Sequence, residues 1–159
     1  MADQVLAGSR RTGWKGRSVS WSYLFLSFDG RISRQPFWIA FLIATGAELS
    51  CHLLVLPLES GERLSAIISL AFAYPEFAVF AKRGHDRNIP PTVIGAFFLL
   101  SVFMDFLMVV GLGGTRGEPS AILLTLGLPW AIFSVVLFIE LGLRRGTRGP
   151  NRFGPDPLT

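Results

Sequence analysis

Four long apolar runs dominate the chain and leave few folds open to it. They cover Phe37 to Leu58, Leu64 to Ala81, Thr92 to Leu112 and Ala121 to Leu143, which is 22, 18, 21 and 23 residues of the 159. A hydrocarbon core of ~30 Å is crossed by ~20 helical residues at 1.5 Å rise. All four runs reach that length, the second only just. Backbone groups in hydrocarbon must pair within a helix or close a barrel, and none of the runs alternates with the period of two that a barrel strand shows. A soluble bundle requires each helix to keep a polar face, and these runs have none. The charged fraction, 16%, is below the roughly 25% of soluble domains, and the mean hydropathy is +0.48. The expected fold is an all-α membrane protein, a four-transmembrane-helix bundle. One cysteine, Cys51, excludes a disulfide scaffold and is expected to act as a small packing residue.

Charge threads the bundle. Six cations precede the first run: Arg10, Arg11, Lys15, Arg17, Arg31 and Arg34. Lys82, Arg83 and Arg87 lie between the second and third runs, and Arg144, Arg145, Arg148 and Arg152 follow the fourth. The other two connections hold only Arg63 and Arg116. The positive-inside rule therefore predicts a cytoplasmic location for both termini and for the middle connection. A net charge of +4 then points to an anionic membrane leaflet rather than to nucleic acid, for which no extramembrane segment is large enough. The first run exceeds a signal-peptide core and is not expected to be cleaved.

The segments outside the runs carry further expectations. Residues 1–17 read as a flexible basic lead, and 18–157 as one membrane domain with a cytoplasmic tail over 144–159. Trp21, Leu24, Phe25 and Phe28 recur at helical spacing, which predicts an amphipathic helix over Ser18 to Phe28. Such a helix either lies in the headgroup layer or packs on the bundle ends. Asp29-Gly30 ends it, and Ser33 is the expected N-cap of the first span. Glu59 to Arg63 forms a tight turn, and the Gly- and Pro-rich tail is expected to fold back along the cytoplasmic face. Pro75 and Pro129 are expected to kink their helices. Small residues at Ser65, Ser69 and Ala73, and at Ala40, Ala44 and Ala47, allow close helix packing.

Three patches carry a resemblance. They read Phe28-Asp29-Gly30-Arg31-Ile32-Ser33-Arg34-Gln35-Pro36-Phe37-Trp38, then Lys82-Arg83-Gly84-His85-Asp86, then Gly149-Pro150-Asn151-Arg152-Phe153-Gly154-Pro155-Asp156-Pro157. In that order, each at the cytoplasmic end of a span, they resemble the bacterial inner-membrane family called domain of unknown function 805. The resemblance covers roughly residues 22 to 157. It implies a small multi-pass protein of the bacterial cytoplasmic membrane and no particular activity. The chain departs from the family pattern at Gly84, where Leu is usual, and at Asn88 to Thr92, which replace an aromatic segment.

Two groups of polar residues are candidates for function. The first is the cytoplasmic motif Gly30, Arg31, Arg34, Phe37, Trp38, Arg83, His85, Asp86, Asn151, Arg152, Gly154 and Asp156, with interfacial acids Glu76 and Glu140. Arginine and carboxylate at an interface form charge-assisted pairs. The motif is either a clasp tying helix ends together or a site for a small anion or lipid headgroup. The second group is Glu48, His52 and Asp105. Glu48 lies ~16 Å and Asp105 ~20 Å into their runs at helical rise, and His52 follows Glu48 by one turn. Carboxylates there cost ~2.5–3.5 kcal/mol on insertion scales, so all three should face the interior. They form either a hydrogen-bonded cluster that sets helix register or a relay for protons or a small ion.

Enzyme and cofactor motifs are lacking: no phosphate-cradling glycine loop, no His-Glu-x-x-His, no Cys-x-x-Cys. His52 and His85 fall on opposite halves of the membrane and make no zinc site. His85-Asp86 alone is a weak acid–base pair. The function expected is non-enzymatic, with no metal or cofactor, exercised through helix packing and a basic face. The partners expected are the bilayer, its anionic lipids, another membrane protein or a second copy. The alternative is a small channel or carrier using Glu48, His52 and Asp105.

Overall fold

The computed structural model describes residues 20–115 and 117–158. It is all-helical. Helix α1 is Trp21–Leu26, α2 Arg34–Val55, α3 Gly61–Asp86, α4 Pro91–Val109 and α5 Ala121–Leu137. The fourth span continues without a break as a π-helical segment, Phe138–Leu143. Four helices are thus long and apolar enough to cross a membrane. Residues 1–17, read above as a flexible lead, lie outside the described residues, as do Ser18, Val19 and Arg116.

Local chemistry sets most of the helix ends. The Ser20 hydroxyl accepts the Tyr23 N–H at 3.2 Å and starts α1, and Ser120 does the same for α5 through Leu123. Pro91 occupies the first turn of α4, where a missing N–H costs nothing. Ser33 precedes α2 in extended conformation, but its hydroxyl makes no capping bond. The amphipathic helix is six residues long rather than eleven. Chain direction, not helical phase, carries Phe28 onto α3, where its ring meets Tyr74 and Phe77. Leu24 is buried while Trp21 and Leu26 are exposed, so α1 lies along α3 with one face outward.

The largest departure from expectation is α3. The apolar run stops at Ala81, yet the helix continues through Lys82, Arg83, Gly84, His85 and Asp86, all of them buried. A charged residue ends an apolar run, but it does not end a helix when the protein supplies its partners. The Lys82 ammonium is held by the carbonyl oxygens of Tyr23, Leu24 and Ser27. The connection to α4 shrinks to Arg87 to Pro90. Both Pro75 and Pro129 lie inside continuous helix.

The tightest packing is at one end. Phe37 and Ala40 of α2, Val79 of α3, Ile94, Phe97 and Phe98 of α4, and Leu137 and Leu141 of the fourth span form the core with Leu24 and Ile32. These residues all lie near the end that carries Arg31, Asp86 and the tail. α3 packs on both α2 and α4, whereas α2 meets the fourth span mainly through the π-helical segment. In the small-residue face of α2, Ala40 and Ala44 are buried but Ala47 is exposed.

Candidate functional site: an arginine clasp and an acid-lined cavity

Asp86 organises the arginine-rich end. Helical continuation puts Arg83 and Asp86 three residues apart on one face of α3, and the Arg83 guanidinium donates to Asp86 Oδ2. Arg31, on the connection before α2, donates to Asp86 Oδ1 from Nη2 at 2.9 Å and from Nε at 3.2 Å. Both arginine side chains are buried, 1% and 0% exposed, and the aspartate 4%. One buried carboxylate thus faces two buried cations. Main-chain carbonyls take up the remaining positive charge. Arg31 also donates to the carbonyls of Thr147 (2.8 Å), Gly149 (2.8 Å) and Gly154 (3.2 Å). Arg83 donates to those of Leu141 (2.7 Å) and Arg144 (2.6 Å) at the C-terminal end of the fourth span, where the helix dipole is negative. All three nitrogens of each guanidinium are bonded within the chain.

These bonds draw the tail onto α3. Thr147 donates its N–H (2.8 Å) and its hydroxyl (3.0 Å) to the Asp86 carbonyl. Asn151 Nδ2 donates to the His85 carbonyl at 2.9 Å. His85 Nδ1 donates to the Gly30 carbonyl at 3.0 Å, and its ring stacks on Phe153 at 4.0 Å and 9°. Gly30 takes φ +84°, a conformation that side chains disfavour. Gly146 lies against the Asp86 carboxylate so closely that a Cβ there would overlap it. Asp156 accepts the N–H groups of Gly149 (2.9 Å) and Leu158 (3.0 Å), which hold its carboxyl below the ordinary value of 3.8.

The other motif residues lie around this centre. Glu140 pairs with Arg87 at 3.0 Å and with Arg144. Arg34 and Arg152 are exposed, each with one long bond of 3.4 Å to a carbonyl, Leu143 and Asn88 respectively. Phe37 and Trp38 do not join the polar network. They line the cavity below it, with Trp38 Nε1 donating to the Gly142 carbonyl at 3.1 Å.

That cavity, about 660 Å³, lies between all four spans. Glu48 of α2 and Asp105 of α4 line it together, while His52 does not. His52 Nε2 is 3.6 Å from Glu48 Oε1 and 3.3 Å from the Ser69 hydroxyl. Ser69 donates to Glu48 Oε1 at 2.8 Å. Glu76, placed above among the interfacial acids, belongs here: it lines the cavity together with Glu48. The extension of α3 to Asp86 is the reason. Glu76 lies ten residues from that end, or ~15 Å along the helix axis.

Sequence reasoning missed Thr147, Gly146 and Ser69 as polar or steric partners. Thr147 and Gly146 precede the tail motif by two or three positions, and nothing in their local pattern signals a buried contact. Ser69 was legible only as one of a stripe of small residues. Comparison with known proteins adds the family alone, since no curated protein and no solved structure matches the chain. A family model described as "Protein of unknown function (DUF805)" matches residues 25–155, which include both ends of the clasp and every acid of the cavity, and the chain belongs to that family.

Proposed function

We propose that this is a non-enzymatic, multi-pass protein of the bacterial cytoplasmic membrane. Both termini are cytoplasmic, and the protein works by presenting a fixed, arginine-rich face to anionic lipid headgroups. The observation that carries this reading is the division of labour among the arginines. Arg31 and Arg83 are saturated by Asp86 and by carbonyls of the chain, so they serve as a clasp. Arg34, Arg144, Arg145, Arg148 and Arg152 are exposed at the same end of the bundle. Polybasic segments at a membrane surface gain ~1 kcal/mol per residue from anionic lipid. His85 and Asp86 are both committed to structural bonds, which speaks against their use as an acid–base pair.

The test is native mass spectrometry of the protein from mixed micelles of phosphatidylglycerol and phosphatidylcholine. The anionic lipid should be retained preferentially. Replacing Arg144, Arg145, Arg148 and Arg152 with Gln should remove the preference without lowering thermal stability. Equal retention of the two lipids by the native chain would overturn the reading. Reporter fusions at the two termini should both report the cytoplasm.

A second reading, a small channel or carrier, is favoured by one observation, the meeting of Glu48, Glu76 and Asp105 on a single cavity. Under it, proteoliposomes should show proton or cation flux that Glu48→Gln abolishes. No flux with the native chain removes it.

A further inference from the structure

The cavity differs from an inorganic ion path in size, lining and access. Its volume of about 660 Å³ is that of a site for a drug-sized organic molecule. Its walls are mostly apolar and aromatic, including Trp38, Phe97 and Trp130, and Trp130 and Phe97 stack at 5.8 Å and 14°. The Trp130 indole is fixed by its N–H bond to the Ser101 hydroxyl at 2.7 Å. Among the described residues the charged side chains lining it are all acids, Glu48, Glu76 and Asp105, contributed by three different helices. Among the described residues no Lys or Arg pairs with any of the three. Nor do they converge closely enough to hold a metal ion.

We propose that this cavity binds a lipophilic organic cation, a protonated amine or quaternary centre carrying aromatic or aliphatic bulk, with Asp105 and Glu48 as its charge partners. Charge complementarity selects the sign. Carboxylates within hydrocarbon are costly unless paired, and a bound cation pairs them. Aromatic faces add cation–π attraction, which strengthens when the site is dry. The remaining apolar wall takes up the hydrophobic part of the ligand. Access follows from the packing: α2 and the fourth span meet mainly at the π-helical segment. On the cavity side of that segment α2 and α5 are little packed on each other, and this gap is the route proposed for cations that partition into a bilayer. The proposal stands apart from the lipid reading above, since it uses none of the exposed arginines.

The probe pair is tetraphenylphosphonium and tetraphenylborate, which have nearly the same shape and opposite charge. Binding to the purified full chain in detergent is measured by equilibrium dialysis, with protein-free micelles subtracted. The phosphonium should bind saturably, one per chain, at least tenfold tighter than the borate, and should quench Trp38 and Trp130 fluorescence. Asp105→Asn and Glu48→Gln should each weaken it at least tenfold, while Glu118→Gln, an exposed acid in the α4–α5 connection, should leave it unchanged. Binding of the borate as tight as the phosphonium, or no saturable binding above the micelle background, overturns the proposal. That comparison needs no variant, so a misfolded Asp105→Asn chain does not rescue it. Folded acid variants that bind as the native chain does would also overturn it.

Discussion

Replacing Asp86 with Asn is the sharpest perturbation of the clasp. The side chain keeps its volume and one acceptor oxygen, so no cavity opens and packing is held constant. What changes is charge. Two guanidiniums, 1% and 0% exposed, lose the one carboxylate they touch among the described residues. Arg83 would then face an amide oxygen or, in the other orientation, an N–H₂ group that it cannot bond. Removing one partner of a buried pair costs ~3–5 kcal/mol, because the remaining charge stays buried and uncompensated. For a chain of 150–250 residues each kcal/mol moves Tm by ~2–4 °C on soluble-protein scaling. The expected fall is therefore about 6–20 °C. Thermal unfolding in detergent, followed by tryptophan fluorescence, reads it. Limited trypsinolysis reads the tail separately, since Arg144, Arg145 and Arg148 become cleavable once Thr147 and Asn151 leave α3. Arg34→Gln, which breaks one long bond at an exposed position, should move Tm by less than 2–4 °C, as exposed ionic groups contribute under ~1 kcal/mol. An Asp86→Asn chain as stable and as protected as the native one would refute the idea that Asp86 holds this end of the bundle together.

The tail offers three further tests. Gly146→Ala should mimic Asp86→Asn in both assays, because the added Cβ displaces the same carboxylate; a native Tm would contradict the close approach. Phe153→Ala removes the ring stacked on His85. It should expose the tail to trypsin while lowering Tm less than Asp86→Asn, since aromatic pairs contribute ~0.5–1.5 kcal/mol beyond burial. For Asp156 the sign follows from its depressed pKa. A carboxyl whose folded value is lowered stabilises the fold above its unfolded pKa, and loses that contribution as pH falls through the folded value. Tail protection should therefore persist to pH values below the ordinary aspartate range and fall only there. Asp156→Asn should flatten this dependence, and loosening of the native tail at mildly acidic pH would refute it.

Much of the architecture was legible because hydrocarbon imposes length. The span over 121–143 emerges unchanged, and the others shift by a few residues at their ends. The exception is instructive. A rule that ends a span at the first charge stops α3 at Ala81, but Lys82, Arg83 and Asp86 are buried, bonded and helical. No composition pattern shows that carbonyls of Tyr23 and Leu141 will be there to receive Lys82 and Arg83, or the Arg31 guanidinium to meet Asp86, because those partners come from distant parts of the chain. The same five-residue extension moved Glu76 away from the interface and into the cavity. The acids at 48 and 105 were legible as interior because of their depth, and Asp86 as a motif residue because of its neighbours. The cavity itself was not legible, since its volume comes from how far α2 and α5 stand apart, a rigid-body property that no single residue encodes.

The two sites are linked by that geometry. Helices in a bilayer gain no hydrophobic drive toward one another, so packing and polar bonds decide their spacing. In this bundle the polar bonds that join α2, α3, the fourth span and the tail are concentrated at the arginine-rich end. There the core closes over Phe37, Val79, Phe98 and Leu141. Immediately below, Trp38 reaches across from α2 to the Gly142 carbonyl in the π-helical segment, and it is also the first wall of the cavity. A bundle pinned at one end can hold α2 and α5 apart farther along without losing its connectivity, which leaves room lined by acids that a uniformly packed bundle would have excluded. Loosening the clasp should therefore reach the cavity through Trp38: in Asp86→Asn, phosphonium binding should weaken although Asp86 does not line the site. Native-strength binding by that variant, measured well below its Tm, would show that the cavity keeps its shape independently of the clasp.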